Sequence, residues 1–540
     1  MSSDDAAAGK GQLGLWDAIS IIVGIVIGTT IYKVPWLIFG STIDPVWGLL
    51  VWVLGGIIAL IGAFCYAELA TTYPRAGGDY YYQSKAFGPG TGFLFGWAQL
   101  TIVMPASIGA MASVFADFFK GAFFPGGLEF ELPLGDKVYD LDANFTIACE
   151  VVLLLTFTNI LGVFVGKWVQ NLLTAAKVVG LSAIIIAGFV AYDAASWEYT
   201  VKTPSQGGTS VPLIGALALI LVMYAYGGWN DAAFVAAEVR NPRRNIPRAL
   251  FLGVSLIIIV YLLVNAAYIS AVGWDNVTGF NPDPVPSRTI AAALAGTEWA
   301  GYGSKAMSVI VMISALGAVN GLIFTGARVY ATLGADHRLF GWMGHWRPGK
   351  RAPIMALLLQ AVLTVFIVGV ITTKTGHEAI LDSLNWLNQN VIGEASKVVE
   401  NVAENREIPK IEFKQEWRAE AAFETLVDRT APIFWFFFLL TGLALFVLRE
   451  KNKHLERPYS VPLYPVVPIL FCCSCAWMLY QATDYVKWHA LFAVVILLLG
   501  VPLYWFSRLI SGSRPAGPED EVPMRPFDDL PARAPRQNWR

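Results

Sequence analysis

This sequence predicts an all-α integral membrane protein of about twelve transmembrane helices, on three observations. Charged residues make up only 14% of the 540 positions and hydrophobic ones 56%, against roughly a quarter charged in an ordinary soluble domain. The apolar residues fall in runs of roughly 20, the length a helix needs to cross about 30 Å of hydrocarbon. Basic residues gather in alternate connections between those runs, as orientation in a bilayer requires.

Taken in chain order, residues 1–14 form a short, polar, acidic tail. They lack the basic region and small-residue cleavage site of a signal peptide, so the first apolar run is retained. Spans then read at about 15–40, 45–70, 88–119, 145–165, 169–192 and 212–238, followed by about 250–272, 305–333, 353–372, 431–448, 464–482 and 488–507. The membrane domain thus covers 15–507, and 508–540 is a Pro-rich tail expected to be disordered and cytoplasmic.

Orientation follows from the basic residues. Arg240, Arg243, Arg244 and Arg248 follow the sixth span; Arg338, Arg347, Lys350 and Arg351 the eighth; Arg449, Lys451, Lys453 and Arg457 the tenth. All are connections after even-numbered spans, which puts both termini in the cytoplasm of a multi-pass protein of the inner membrane. The acidic stretch 129–142 falls on the other side. So does the connection 374–428, with about eleven acidic and about six basic residues. Spacings such as Leu384, Leu387 and Val391 predict a small amphipathic helical insertion there.

Composition also excludes classes of function. A net charge of −2 gives no nucleic-acid partner. The five cysteines, Cys65, Cys149, Cys472, Cys473 and Cys475, lie in or beside apolar segments and form neither a disulfide framework nor a metal spacing. None of the five histidines stands near a span centre beside a nucleophile. Neither an enzyme nor a cofactor is expected.

Two spans carry unusual centres. The first reads Gly24-Ile25-Val26-Ile27-Gly28-Thr29-Thr30-Ile31-Tyr32, and the sixth Tyr224-Ala225-Tyr226-Gly227-Gly228-Trp229-Asn230-Asp231. Glycine and β-branched residues weaken a helix. Either cluster alone would equally serve close helix packing. Two of them opening two blocks of five spans predict discontinuous helices around a midplane site, related by an inverted repeat. A broken helix offers free N–H groups, suited to a carboxylate, and free carbonyls, suited to an ammonium. An α-amino acid supplies both partners.

Beyond these breaks the chain carries a set of motifs: Tyr66-Ala67-Glu68-Leu69, Pro74-Arg75-Ala76-Gly77-Gly78-Asp79-Tyr80, Ala86-Phe87-Gly88-Pro89, Tyr226-Gly227-Gly228-Trp229-Asn230, Asn241-Pro242-Arg243-Arg244-Asn245-Ile246-Pro247, Gly317-Ala318-Val319-Asn320-Gly321 and Arg457-Pro458-Tyr459. With these it resembles the amino acid–polyamine–organocation permeases, and among them the L-type amino acid transporters and their bacterial relatives. The resemblance runs from Leu15 to about Ser507 and omits the insertion.

The resemblance implies a LeuT-type fold: two inverted five-helix repeats plus two extra helices, with helices 1 and 6 unwound. It implies that Gly28, Thr29 and Thr30 hold the substrate carboxylate, and the carbonyls of Val26, Ile27, Tyr224, Ala225 and Gly227 its amine. Thr30 stands where the family carries a second glycine, which implies a smaller substrate or a shifted carboxylate. Asn230 stands where arginine-specific members carry a glutamate, which implies neutral substrates. Lys177 resembles the lysine that sodium-independent members place where sodium-coupled relatives bind sodium, implying proton symport or amino acid exchange. A snorkelling lysine near the interface is the alternative for that residue.

Asp231, just past the second break, is the carboxylate nearest the midplane, a costly place for a charge. It serves either as a proton-coupling group or as an attractor of cationic side chains, or it is a paired carboxylate facing the pathway. Trp229 is a candidate aromatic lid over the cavity, or simply packing. Glu68 and Glu238 lie near span ends and read as ion-pairing anchors. A carrier of cationic amino acids or polyamines is the nearer alternative function, and a transporter-like amino acid sensor the more distant one. The eukaryotic L-type transporters join a single-span glycoprotein through a cysteine after the third span, and residues 121–144 contain none. No disulfide-linked heavy subunit is therefore expected.

Overall fold

The computed structural model describes residues 12–128, 130–134, 137–190, 194–197, 211–274, 286–345, 352–373, 376, 382, 422–486 and 490–511. Helix α1 (Leu15–Val26) starts where the Asp17 carboxylate accepts the Gly14 N–H at 2.8 Å, a charged acceptor at an orphan helix end. It stops at Ile27, and the chain resumes as α2 (Thr30–Lys33) and, after Pro35, as α3 (Pro35–Gly40). Helix α4 (Pro45–Thr72) is capped by Asp44, which accepts from the Trp47 N–H, with Pro45 in its first turn.

A short α5 (Asp79–Phe87) leads into the third span, α6 (Pro89–Ala98) and α7 (Met104–Phe123) joined by a π-helical turn, Gln99–Val103. Pro105 has no N–H to give, so the ladder slips there to a five-residue bond from Met104 N–H to the Gln99 carbonyl. The Tyr330 hydroxyl is 3.1 Å from the carbonyls of both Gln99 and Leu100. The predicted polar connection after this span contains an antiparallel hairpin, β1 (Phe130–Leu134) and β2 (Lys137–Leu141), with Leu134 opposite Lys137. Among the described residues the domain is helical apart from this pair of strands.

Next come α8 (Ala143–Ile160), α9 (Val163–Val190) and α10 (Val211–Ala225), then a ten-residue 3-10 helix, Trp229–Glu238. The second half of the chain comprises α11 (Pro242–Val272), α12 (Pro286–Asp336), α13 (Ile354–Thr372), α14 (Ala422–Lys451), α15 (Val466–Val486) and α16 (Ala490–Ser511).

Among the described residues, ten helices are long and apolar enough to cross a membrane. About twelve were expected. The expected sixth is interrupted at Tyr226–Gly228, and the expected last has its described apolar stretch at Val494–Leu509, short of the length required. Several ends also move. α11 begins at Pro242, so Arg243, Arg244 and Arg248 sit on its opening turns rather than in a connection, and α14 begins at Ala422, ahead of the expected 431. Apart from Gly376, Asp382 and the start of α14, the expected insertion 374–428 lies outside the described residues, as do 1–11 and 512–540.

α1 packs against α9, α11 and α12, while α4 lies on α11 and α7 on α12. Phe164, Trp168, Leu172, Val179 and Ile186 leave one side of α9 exposed, a surface suited to lipid. At the end bearing the N-terminus, Leu13 forms a parallel bridge with Val239: its N–H donates to the Glu238 carbonyl at 3.0 Å, and Arg240 N–H donates to the Leu13 carbonyl at 2.8 Å. Lys167 adds bonds to the Gln12 carbonyl and the Asp17 carboxylate, both at 3.1 Å, and Asn171 donates to Asp17 at 2.7 Å. The start of α1 is thereby tied to the end of the 3-10 segment and to α9.

Glu68 and Glu238 do anchor ion pairs. Glu68 accepts from Arg449 Nε at 2.7 Å and from the Val461 N–H at 2.7 Å, with Arg457 Nε at 3.4 Å. Arg328 Nε donates to Glu238 at 2.8 Å. These pairs join α4 to α14 and the 3-10 segment to α12.

Candidate functional site

The first break is narrower than its glycines imply. Gly24 is helical, and its missing side chain makes room for Gln170: a Cβ there would lie 1.9 Å from the Gln170 amide nitrogen. The unwound residues are Ile27 to Thr29, where Gly28 N–H turns back on the Val26 carbonyl at 2.7 Å. At the second break Gly227 N–H bonds the Tyr224 carbonyl at 3.0 Å, and Gly228 takes φ +103°. A Cβ at Gly228 would also lie 2.6 Å from Ile25 Cγ2. Both the backbone conformation and the close approach to α1 require glycine there.

Three side chains from other helices complete the breaks. Lys177, fully buried at the middle of α9, donates from Nζ to the carbonyls of Gly24 and Ile27, both at 2.7 Å, and of Ser314 at 3.1 Å. It does not snorkel to an interface. The Ser314 hydroxyl donates to the Ile27 or Gly28 carbonyl, each 2.9 Å away. The Tyr261 hydroxyl lies 2.8 Å from the Val26 carbonyl and 3.0 Å from that of Ala225, so a single group spans both breaks. Buried carbonyls freed by a broken helix must find donors, and these residues supply them. Gly317 leaves the space for Lys177, since a Cβ there would stand 2.9 Å from its Cε and Nζ.

Between the breaks lies a cavity of about 1030 Å³, counting space open to solvent. Of the expected site residues, Val26, Gly28, Thr30, Tyr224, Gly227, Asn230 and Asp231 line it. Ile27, Thr29, Ala225 and Trp229 do not. Thr29 turns its hydroxyl to the Met111 sulfur at 3.4 Å. Trp229 packs edge-on to Tyr66, ring centroids 5.0 Å apart, and beside Phe438. Gly62 faces the indole, which a Cβ there would approach to 2.6 Å.

Phe95, Met104, Met111, Phe434, Trp435 and Phe438 supply an apolar wall. Opposite in character are two buried carboxylates, Asp231 and one that sequence reasoning did not assign to the site, Asp79. Thr441 donates to Asp79 Oδ1 at 2.8 Å, with Tyr66 and Asn230 beside the same carboxylate. Asp231 has the Thr325 hydroxyl at 3.5 Å, a long contact, and is close enough to Asp79 for the two to repel. Gln99, on the π turn, also lines the cavity. Behind this wall Asn320 joins α8 and α9: its Oδ1 accepts from Asn159 at 2.9 Å, and its amide donates to Gln170 at 2.8 Å.

Among the described residues, no group of three or more His, Cys, Asp or Glu side chains is placed to hold a metal ion. Bilayer-length helices and two broken ones thus surround a mainly apolar cavity with a few buried polar groups. The family model described as amino acid permease matches residues 13–501. The b(0,+)-type amino acid transporter 1 of Mus musculus is 28% identical over 495 residues, 92% of this chain and 87% of that protein. The Asc-type amino acid transporter 1 of Mus musculus is 27% identical over 505 residues, 93% and 82% of the two chains. The large neutral amino acids transporter small subunit 2 of Homo sapiens is 27% identical over 507 residues, again 93% and 82%. The chain belongs to the amino acid permease family, and is a multi-span membrane transporter rather than an enzyme.

Proposed function

We propose that this protein is a sodium-independent amino acid transporter working by alternating access, as a proton symporter or an amino acid exchanger. In this reading its helices follow the LeuT-type arrangement of two inverted repeats plus two further helices, and both termini lie in the cytoplasm of a bacterial-type inner membrane. The observation that carries it is the seat of Lys177. A sodium ion needs several oxygen ligands, and here the carbonyls of Gly24, Ile27 and Ser314 converge instead on a fixed ammonium.

Neutral amino acids are the first substrates to test. The wall formed by Phe95, Met111, Phe434 and Phe438 suits an apolar side chain, and one relative carries large neutral amino acids in its name. In this reading Gly28 and Thr30 receive the carboxylate, since Thr29 is turned to Met111, and Asp231 is the candidate proton carrier. A second reading, cationic amino acids, is favoured by one specific observation: the same cavity holds two carboxylates, and no Lys, Arg or His among the described residues lines it.

Uptake of a panel of radiolabelled amino acids into proteoliposomes, with and without proton and sodium gradients, tests the proposal. Accumulation that requires sodium would end it. A covalent heavy subunit is not part of this reading, and a single band on a non-reducing gel is the expected result.

A further inference from the structure

Several of the carbonyls expected to receive an amine at the breaks are already engaged or lie off the cavity wall. A carbonyl oxygen has two lone pairs. That of Val26 already faces the Gly28 N–H and the Tyr261 hydroxyl, and that of Ile27 faces Lys177 and Ser314. The Ala225 carbonyl has Tyr261 at 3.0 Å. The single Tyr261 proton serves Val26 or Ala225 but not both, while Ile27 and Ala225 do not line the cavity, so of these three only Val26 is open to an ammonium inside it.

Unmet acceptors gather elsewhere on the cavity wall. Gln99 Oε1 and Asn230 Oδ1 are buried and have no hydrogen-bond partner, in residues only 5% and 3% exposed. Asn230 lies beside Asp79, which places its amide nitrogen toward that carboxylate and leaves its oxygen to the cavity. The Asp231 carboxylate has the long 3.5 Å contact from Thr325. Two carboxylates and two amide oxygens line the same cavity, and no Lys, Arg or His among the described residues does. Buried polar atoms are rarely left this way, and a buried charge without a partner is costly. A group with several N–H donors and a positive charge can answer more than one of these acceptors; a proton satisfies a single oxygen.

We propose that Asp79 and Asp231, with Gln99 and Asn230, form an ammonium-binding pole of the cavity. The inference rests on the reading that the cavity takes an amino acid, and it moves the amine from the carbonyls of the breaks to this side-chain array. The ammonium comes either from the α-amino group or from a cationic side chain. The apolar wall beside the pole accommodates the alkyl chain that carries it.

Thermal stabilisation of the purified full chain by n-butylammonium, with n-butanol as neutral control, and by leucine and lysine in parallel tests this. Butylammonium should stabilise the wild type and butanol should not. Asp79→Asn and Asp231→Asn should each weaken butylammonium on the order of tenfold, the worth of a lost charge-assisted hydrogen bond. Gln99→Leu, which leaves the Asp79 contacts intact, covers the case in which Asp79→Asn does not fold. Leucine weakened together with lysine assigns the α-ammonium, and lysine weakened alone assigns the side chain. Stabilisation by butylammonium but by no amino acid would defeat the transport reading and leave the pole standing. Equal effects of butanol and butylammonium, no effect of either, or variants that bind butylammonium like the wild type would overturn the pole.

Discussion

Lys177 and Ser314 reach the same oxygen, the carbonyl of Ile27, from two different helices, at 2.7 and 2.9 Å, and Lys177 closes the triangle on the Ser314 carbonyl at 3.1 Å. The end of α1 is thus held to α9 and α12 by an ammonium rather than by an ion from solution.

Lys177→Ala removes three bonds from a charged donor, each worth roughly 1.5–3 kcal/mol. We expect uptake to fall on the order of tenfold or more while ligand still raises the melting temperature, because Lys177 does not line the cavity. Gly317→Ala should mimic it in part by crowding the Nζ. Normal uptake by Lys177→Ala in proteoliposomes would reduce the residue to packing.

Gly228→Ala places a methyl group 2.6 Å from Ile25 Cγ2 on a backbone at φ +103°. Strain of roughly 1–3 kcal/mol falls on the contact between the two breaks. Both uptake and ligand stabilisation should be lost, whereas an alanine at Gly88, which also has positive φ but nothing within 4 Å, should affect stability alone. Retained ligand stabilisation in Gly228→Ala would show that the second break tolerates a different backbone.

Glu68 is answered by two guanidinium groups, so its loss and the loss of one partner should differ. Glu68→Ala strands Arg449 and Arg457 and should cost about 3–5 kcal/mol. Arg449→Met leaves Arg457 and the Val461 N–H on the carboxylate and should cost less. Melting curves of the two variants in detergent compare them; equal losses would mean that Arg457 contributes nothing.

His337, just beyond the α12 span, packs on Phe93 with ring centroids 4.8 Å apart. Burial holds its imidazole down to about 4, below the ordinary value near 6.5. The fold therefore favours the neutral ring. Its contribution is complete above about pH 6.5 and is lost as pH falls through about 4, up to roughly 3 kcal/mol. The melting temperature of His337→Gln should consequently fall less between pH 7 and pH 4 than that of the wild type. Parallel curves would remove His337 as the cause.

The parts of this molecule legible in its sequence are those where chemistry conflicts with a plain apolar helix. Glycines beside β-branched residues marked the first break and the Gly227-Gly228 pair the second, and Lys177 stood out because a charge in an apolar run is costly. Ser314 and Tyr261 were not legible: a serine or tyrosine in a span carries no periodic signal, and only the packing of α11 and α12 brings them to the broken ends. Asp79 read as part of a connecting motif because its distance to Asp231 is set by the fold and not by spacing. The 3-10 winding of Trp229–Glu238 was equally hidden, since Ala232, Ala233 and Ala236 fit either helical period over ten residues.

The bridge between Leu13 and Val239 gives spectroscopy a vantage point. Spin labels at Gln12→Cys and Arg244→Cys, in a chain cleared of its own cysteines, would sit on either side of that bridge. While it is closed they would give one narrow distance distribution. Each release would add a longer one, and the ratio of the two areas is the ratio of the two populations. Titrating ligand against that ratio measures how much more tightly one conformer binds than the other, a quantity that uptake rates alone do not yield.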